Sequence, residues 1–200
     1  IKQATRIAAV SEFTRSELCD VYGIKKDDVS VINCGIDSSC FNGGLKKRQP
    51  SILAVGTVEP RKNLKNLIAA YEKLPKKVQS HYGLKIVGAN GWGDGHGGVK
   101  NKNIEILGYV SDGELRRLYG SASLLAFPSI YEGFGLPILE AFSSNTPVVC
   151  SDIPPFREIA GKNATYFDPQ DVDNIAKKLL VALATKSKQT VDYQKIAEQW

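Results

Sequence analysis

The chain has 200 residues, 42% hydrophobic and 24% charged, a balance that excludes a disordered polymer and supplies enough apolar side chains for a sizeable core. Twenty-six Lys and Arg against 21 Asp and Glu leave a formal charge of +5. That excess is scattered in short runs such as Lys46–Arg48, which read as solvated surface; it suits an anionic ligand and not a nucleic-acid-binding arm.

Residues 6–10 (RIAAV) form a short apolar run, after which Ser11 caps a helix carrying Phe13, Leu18, Val21 and Tyr22 and ending at Gly23. The next strand is 29–33 (VSVIN). Residues 35–50 are polar, contain Gly43 and Gly44, and read as a loop or hinge. The stretch 51–56 (SILAVG) is strand-like. Beyond Pro60 a helix places Leu64, Leu67, Ile68, Tyr71 and Leu74 at three- and four-residue spacing. Residues 84–88 (LKIVG) make a strand that runs into the glycine-rich loop 88–98, and 103–108 (NIEILG) make another.

Ser111 with Glu114 forms a capping box for a helix over 111–122. A buried strand at 123–129, a helix at 135–145 and a strand at 147–151 follow. Helices over 155–160, 171–184 and 191–200 close the chain. Near-continuous Val, Ile and Leu strands alternating with helices predict an α/β fold: a single Rossmann-like, doubly wound parallel sheet domain spanning 1–200. Such sheets bind ligands at the carboxyl ends of their strands, which directs attention to the loops after 56, 88, 108, 129 and 151.

The loop GTVEPRKN brings Arg61 and Lys62 to the entrance of a helix, where free amides already favour an anion; the pair is a diphosphate clamp or a solubilising surface. The loop GYVSDGEL is a capped helix start whose backbone can also face a base edge. In YEGFGLPILEAF (131–142), Gly133 and Gly135 allow close backbone approach to a ligand, and Pro137 suits a first helical turn. Glu132 and Glu140 are either surface carboxylates, Glu140 matched to a helix dipole, or acceptors for the vicinal diols of a sugar. His96 reads as a loop-surface residue, and Asp152 and Glu158 as structural capping groups. The dinucleotide fingerprint and the P-loop are both missing.

No apolar run approaches the roughly 20 residues of a membrane helix, and no signal peptide is read before the patterned sequence. Cys19, Cys34, Cys40 and Cys150 lack Cys-x-x-Cys spacing, which points to reduced thiols in a cytosolic protein and to no metal site. Asn163-Ala164-Thr165 reads as a chance glycosylation acceptor. With no Met, Ile1 already in patterned sequence and Trp200 inside a helical pattern, a fragment of a longer protein is expected.

The segment YEGFGLPILEA, with Glu132 and Glu140, resembles the E-x7-E motif of the retaining glycosyltransferases of family 4, which have the GT-B fold. VSEFTRSEL, VSVINCGID, ILAVGTVEPRKNLKNLIAAY, LGYVSDGELRRLY, PVVCSDIPPFREIAG and YFDPQD are similar to segments of the same enzymes, so the resemblance covers nearly the whole chain. The EPRKN form is similar to mannosyltransferase-like members that build surface polysaccharides. The resemblance implies the C-terminal, donor-binding domain, with the N-terminal acceptor domain absent from this chain and the fragment inactive alone.

It further implies transfer of a hexose, mannose or glucose, with retention, from a GDP- or UDP-sugar to a glycan or lipid-linked acceptor. No metal or other cofactor is required, the enzyme is cytoplasmic, and a lipid-linked acceptor would draw it to the inner face of the membrane. Arg61 and Lys62 would grip the diphosphate, and the backbone near Val110 would read the base. Glu132 would contact the donor sugar, the amides of Gly133, Phe134, Gly135 and Leu136 would hold sugar and phosphate, and Glu140 would hold the ribose. One departure is Thr57, where many members carry a second diphosphate arginine; Arg61 is expected to substitute. The alternatives are a non-catalytic nucleotide-sugar-binding module and a sugar-nucleotide epimerase of GT-B type, for which the chain offers only His81 and His96. Base, sugar, acceptor, linkage and oligomeric state are not readable here.

Overall fold

In the computed structural model the described residues are 4–41, 48–89, 91, 99–185, 193–198 and 200. They build two parallel sheets. The first pairs β1 (Ile7–Ala9) with β2 (Val29–Val31), joined by α1 (Glu12–Tyr22). As read from sequence, Ser11 accepts from the Thr14 amide at the start of α1, and Gly23 ends it in the left-handed region at φ 65°.

The second sheet contains β3 (Ser51–Val55), β4 (Gly83–Val87), β5 (Ile104–Gly108), β6 (Leu124–Phe127), β7 (Val148–Ser151) and β8 (Thr165–Phe167). Their spatial order is β5-β4-β3-β6-β7-β8 and every pair is parallel. The chain winds outward from β3 on one side, returns to β6, and winds outward again: the doubly wound order expected from the sequence. The first two strands, read as part of the same unit, form their own sheet instead. Their apolar runs look like the others, and only long-range pairing separates them.

Alternate residues of the central strands serve opposite layers. Ile52 and Ala54 of β3 join the core beneath α2 (Leu64–Glu72) and α7 (Val172–Thr185). Leu53 and Val55 join the core beneath α4 (Asp112–Ser121), α5 (Leu136–Ser143) and α6 (Pro154–Ala160). This two-sided burial is why these strands read as continuous apolar runs. The remaining helices are α3 (Lys76–His81), which the sequence reading lacked, and α8 (Tyr193–Ala197), which packs against α5.

Arg48, read as solvated surface, instead donates to the Ala122 carbonyl at 2.7 Å and the Thr146 hydroxyl at 2.8 Å, fastening the segment before β3 to the next crossover. His96 and Lys46–Lys47 lie outside the described residues. Among the described residues no helix is long and apolar enough to cross a membrane.

Candidate functional site

β3 and β6 are neighbours from which the chain winds in opposite directions, the switch point at which sheets of this order bind ligands. The loop after β3 carries Arg61 and Lys62, and the loop after β6 carries Glu132. Their backbones are tied by a hydrogen bond from the Ile130 amide to the Arg61 carbonyl at 2.8 Å.

Arg61 and Lys62 sit in a 3-10 turn, Pro60–Lys62, which Asn63 at φ 55° separates from α2. They therefore stand just ahead of α2, at its entrance, with Asn63 as the intervening N-cap. Asn63 is held there by its side-chain amide, which donates to the Pro169 carbonyl at 2.7 Å. The stem of Lys62 lies across Gly56, where a Cβ would come within 3.2 Å of it. Gly56 in turn meets Gly88 of the β4 loop so closely that a Cβ at Gly88 would fall 2.0 Å from the Gly56 carbonyl oxygen. Only glycine allows these two strand ends to close under the lysine.

Lys62 Nζ reaches Glu132 Oε1 at 2.5 Å and stands 5.3 Å from the centre of the Phe127 ring. Arg61 Nη1 reaches Glu132 Oε2 at 2.9 Å, and its Nε reaches Glu59 Oε2 at 2.9 Å. Burial works against the Arg61 guanidinium; Glu132, then Glu59, outweigh it and hold its pKa above the ordinary range. Lys62 and Glu132 are each only 12% exposed, so the solubilising-surface reading of the lysine fails. Two cations facing two carboxylates leave this cluster without net charge.

The second carboxylate, Glu140, sits in α5, the helix that follows the Glu132 loop. Gly135, at φ 138°, starts α5, and a Cβ there would come 3.0 Å from the Phe156 ring. Pro137 falls in the first turn as expected. Glu140 is half-buried and accepts from the Tyr119 hydroxyl at 2.6 Å, so it is not the dipole-matched surface group of the simpler reading. Burial raises its pKa, the Tyr119 hydroxyl lowers it, and Asp112 raises it again. Tyr119 itself is fully buried, and burial followed by Glu140 pushes its pKa well up. Sequence reasoning missed Tyr119; its signal was a lone aromatic at the end of the helix that begins in the Val110 loop. Val110 stands between β5 and the Ser111 cap, its side chain against the core that contains Tyr119.

Gly133 presents its carbonyl to Ser11 Oγ at 2.5 Å and Thr14 Oγ1 at 3.0 Å, both from the first turn of α1. Phe134 is buried and Leu136 exposed. Glu158 is a capping group as expected, but for a distant helix: its carboxylate accepts from the amides of Glu12 at 2.9 Å and Phe13 at 3.3 Å. Asp152 forms a two-point ion pair with Arg157, at 2.6 and 2.7 Å.

The group 1 glycosyl transferase profile matches residues 36–200, and the profile of Glycosyltransferase Family 4 matches residues 1–39. The junction falls between β2 and β3, where the structure changes sheet. The O-antigen chain mannosyltransferase B of Escherichia coli is 36% identical over 204 residues, covering 94% of this chain and 54% of that protein. The O-antigen chain mannosyltransferase RfbU of Salmonella typhimurium is 34% identical over 179 residues, covering 86% and 49%. The chain therefore spans about half the length of the curated relatives it matches. The crystal structure of Anabaena Alr3699/HepE in complex with UDP shares the fold at a TM-score of 0.83 and 20% identity, covering 98% of this chain and 59% of that one.

Proposed function

The chain belongs to the group 1 glycosyl transferases, and from that membership we propose that it holds the donor in a retaining transfer of a hexose from a nucleoside diphosphate to a glycan acceptor. The observation that carries this reading is the meeting of Arg61, Lys62 and Glu132 at the switch point between β3 and β6. Two cations there are placed to take a diphosphate and to stabilise its charge as the bond to the anomeric carbon breaks, a role for which preorganised charge is effective. They supply that charge from the protein itself, which supports a reaction without a required metal. Arg61 takes the part that Thr57 lacks.

Glu132 and the amides of Gly133, Phe134, Gly135 and Leu136 face the sugar, Glu140 holds the ribose diol, and the backbone at Val110 meets the base. The acceptor hydroxyl is the nucleophile, so the chain needs none of its own. Mannose, carried on GDP, is the favoured donor, since two relatives bear the name mannosyltransferase; UDP and glucose are the alternatives. A lipid-linked acceptor would bring the protein to the cytoplasmic face of a membrane.

Calorimetric titration with GDP, UDP and their mannose and glucose conjugates tests the reading, with binding of one nucleotide-sugar series expected. Absence of binding to every nucleotide overturns it. In a transferase assay of the full-length enzyme Lys62→Ala is expected to slow transfer by about 10²–10³-fold, the range for loss of one preorganised charge donor. Wild-type kinetics for that variant remove Lys62 from the clamp.

A further inference from the structure

The cations assigned to the diphosphate are already engaged. Both oxygens of Glu132 hold them, Oε1 on Lys62 Nζ at 2.5 Å and Oε2 on Arg61 Nη1 at 2.9 Å, and Glu59 takes the Arg61 Nε. The same carboxylate is the group assigned to the donor sugar. Each of its oxygens already accepts one charge-assisted bond, so the cations and the sugar hydroxyls compete for one carboxylate. The site that should attract a dianion carries two carboxylates against two cations, and so offers little attraction at a distance.

We propose that Glu132 is an internal stand-in for the donor diphosphate. The arriving diphosphate displaces the Glu132 carboxylate from Arg61 and Lys62, and the displaced carboxylate turns to the hydroxyls of the hexose. When the hexose has been transferred, the carboxylate returns to the cations and helps expel the nucleoside diphosphate. The inference rests on the nucleotide-sugar reading above.

Three features favour the exchange. A diphosphate has more charge and more acceptor oxygens than one carboxylate, and it suits the forked guanidinium. Lys62 stays in place when the carboxylate leaves, because its stem lies on Gly56 and its ammonium near the Phe127 ring. Glu132 lies between Tyr131 and Gly133, both fastened by other bonds, Tyr131 to Glu17 and the Gly133 carbonyl to Ser11 and Thr14. Only its side chain has to move.

Glu132→Gln keeps the shape and removes the competing charge. GDP, UDP and inorganic pyrophosphate are titrated into the wild type, Glu132→Gln, Glu132→Asp and the double variant Glu132→Gln/Lys62→Ala. Glu132→Gln is expected to bind the nucleoside diphosphate and pyrophosphate about tenfold more tightly, with a steeper loss in salt, because it leaves the shielded Lys62 without its carboxylate and Arg61 with Glu59 alone. The nucleotide-sugar gains less, having lost its carboxylate contacts. The shorter Glu132→Asp falls between, and the double variant loses the gain, which a merely structural role for Glu132 does not predict. Nucleoside diphosphate affinity that is unchanged or weaker in both single variants, in a protein whose wild type binds it, overturns the inference and leaves the site reading intact. Failure of wild type and variants alike to bind any nucleotide overturns both.

Discussion

The Glu140 carboxyl has its pKa raised by burial, lowered in part by the Tyr119 hydroxyl 2.6 Å away, and raised again by Asp112. The net direction is up, so the folded state binds its proton more tightly than the unfolded chain does. Stability from this group is therefore complete below the unfolded carboxyl pKa and is lost as pH rises through the folded value. Where the folded carboxyl is ionised, its burial costs stability. Glu140→Gln is expected to raise Tm at neutral pH, by about 2–4 °C for each kcal/mol recovered in a chain of this size, while weakening nucleotide binding. The Tm gain shrinks in acid. Tyr119→Phe removes the bond that favours the charged form, so the acid limb of nucleotide affinity moves to higher pH. Titrations across the mildly acidic range check this; an unmoved limb would show that Tyr119 does not tune Glu140.

At the scale of elements, α1 shows how local and distant signals divide. Its limits were legible because Ser11 and Gly23 carry their cap chemistry in their own side chains and backbone. What its first amides meet was not legible: Glu158 supplies a carboxylate from 146 residues away. Tyr131 adds a hydrogen bond to Glu17 at 2.6 Å and an edge contact with Phe13 at 6.0 Å. Glu158→Ala removes an anion from a helix N-terminus and leaves two amides without it, at a cost of about 1 kcal/mol. Hydrogen exchange at the Glu12 and Phe13 amides is expected to quicken while exchange in β3 and β6 holds. Equal acceleration in the sheet would mean that α1 and the sheet open together. The start of α2 was misplaced because Asn63 adopts φ 55°, which no side-chain pattern announces. β8 and α3, at three and six residues, are too short to carry a period.

Across the whole molecule, the doubly wound order follows from parallel strands and crossovers, both of which leave marks in the sequence. Arg61, Lys62 and Glu132 were legible for the same reason: each sits in a loop after a strand that the pattern locates. The partnership of Glu132 with Arg61 and Lys62 was not, since it spans 71 and 70 residues and depends on β3 and β6 becoming neighbours. The loop 133–135 gathers such distant contacts from two directions. Residues Ser11 and Thr14 hold the Gly133 carbonyl, and Trp200 sets its ring edge against Phe134 at 5.7 Å between centres. The Trp200 carbonyl also lies so near Gly35 that a Cβ there would stand 3.2 Å away, so the tryptophan sits beside the β2–β3 connection. Trp200 therefore packs against the loop to which the donor sugar is assigned. An aromatic pair of this kind contributes about 0.5–1.5 kcal/mol beyond its buried area. If that energy holds the loop, Trp200→Ala weakens nucleotide-sugar affinity about two- to tenfold. The loss should fall on KM, with kcat nearly kept, and Trp200→Phe should restore most of it. Equal losses in KM and kcat, or none after a clean melt, would mean that Ser11 and Thr14 hold the loop unaided.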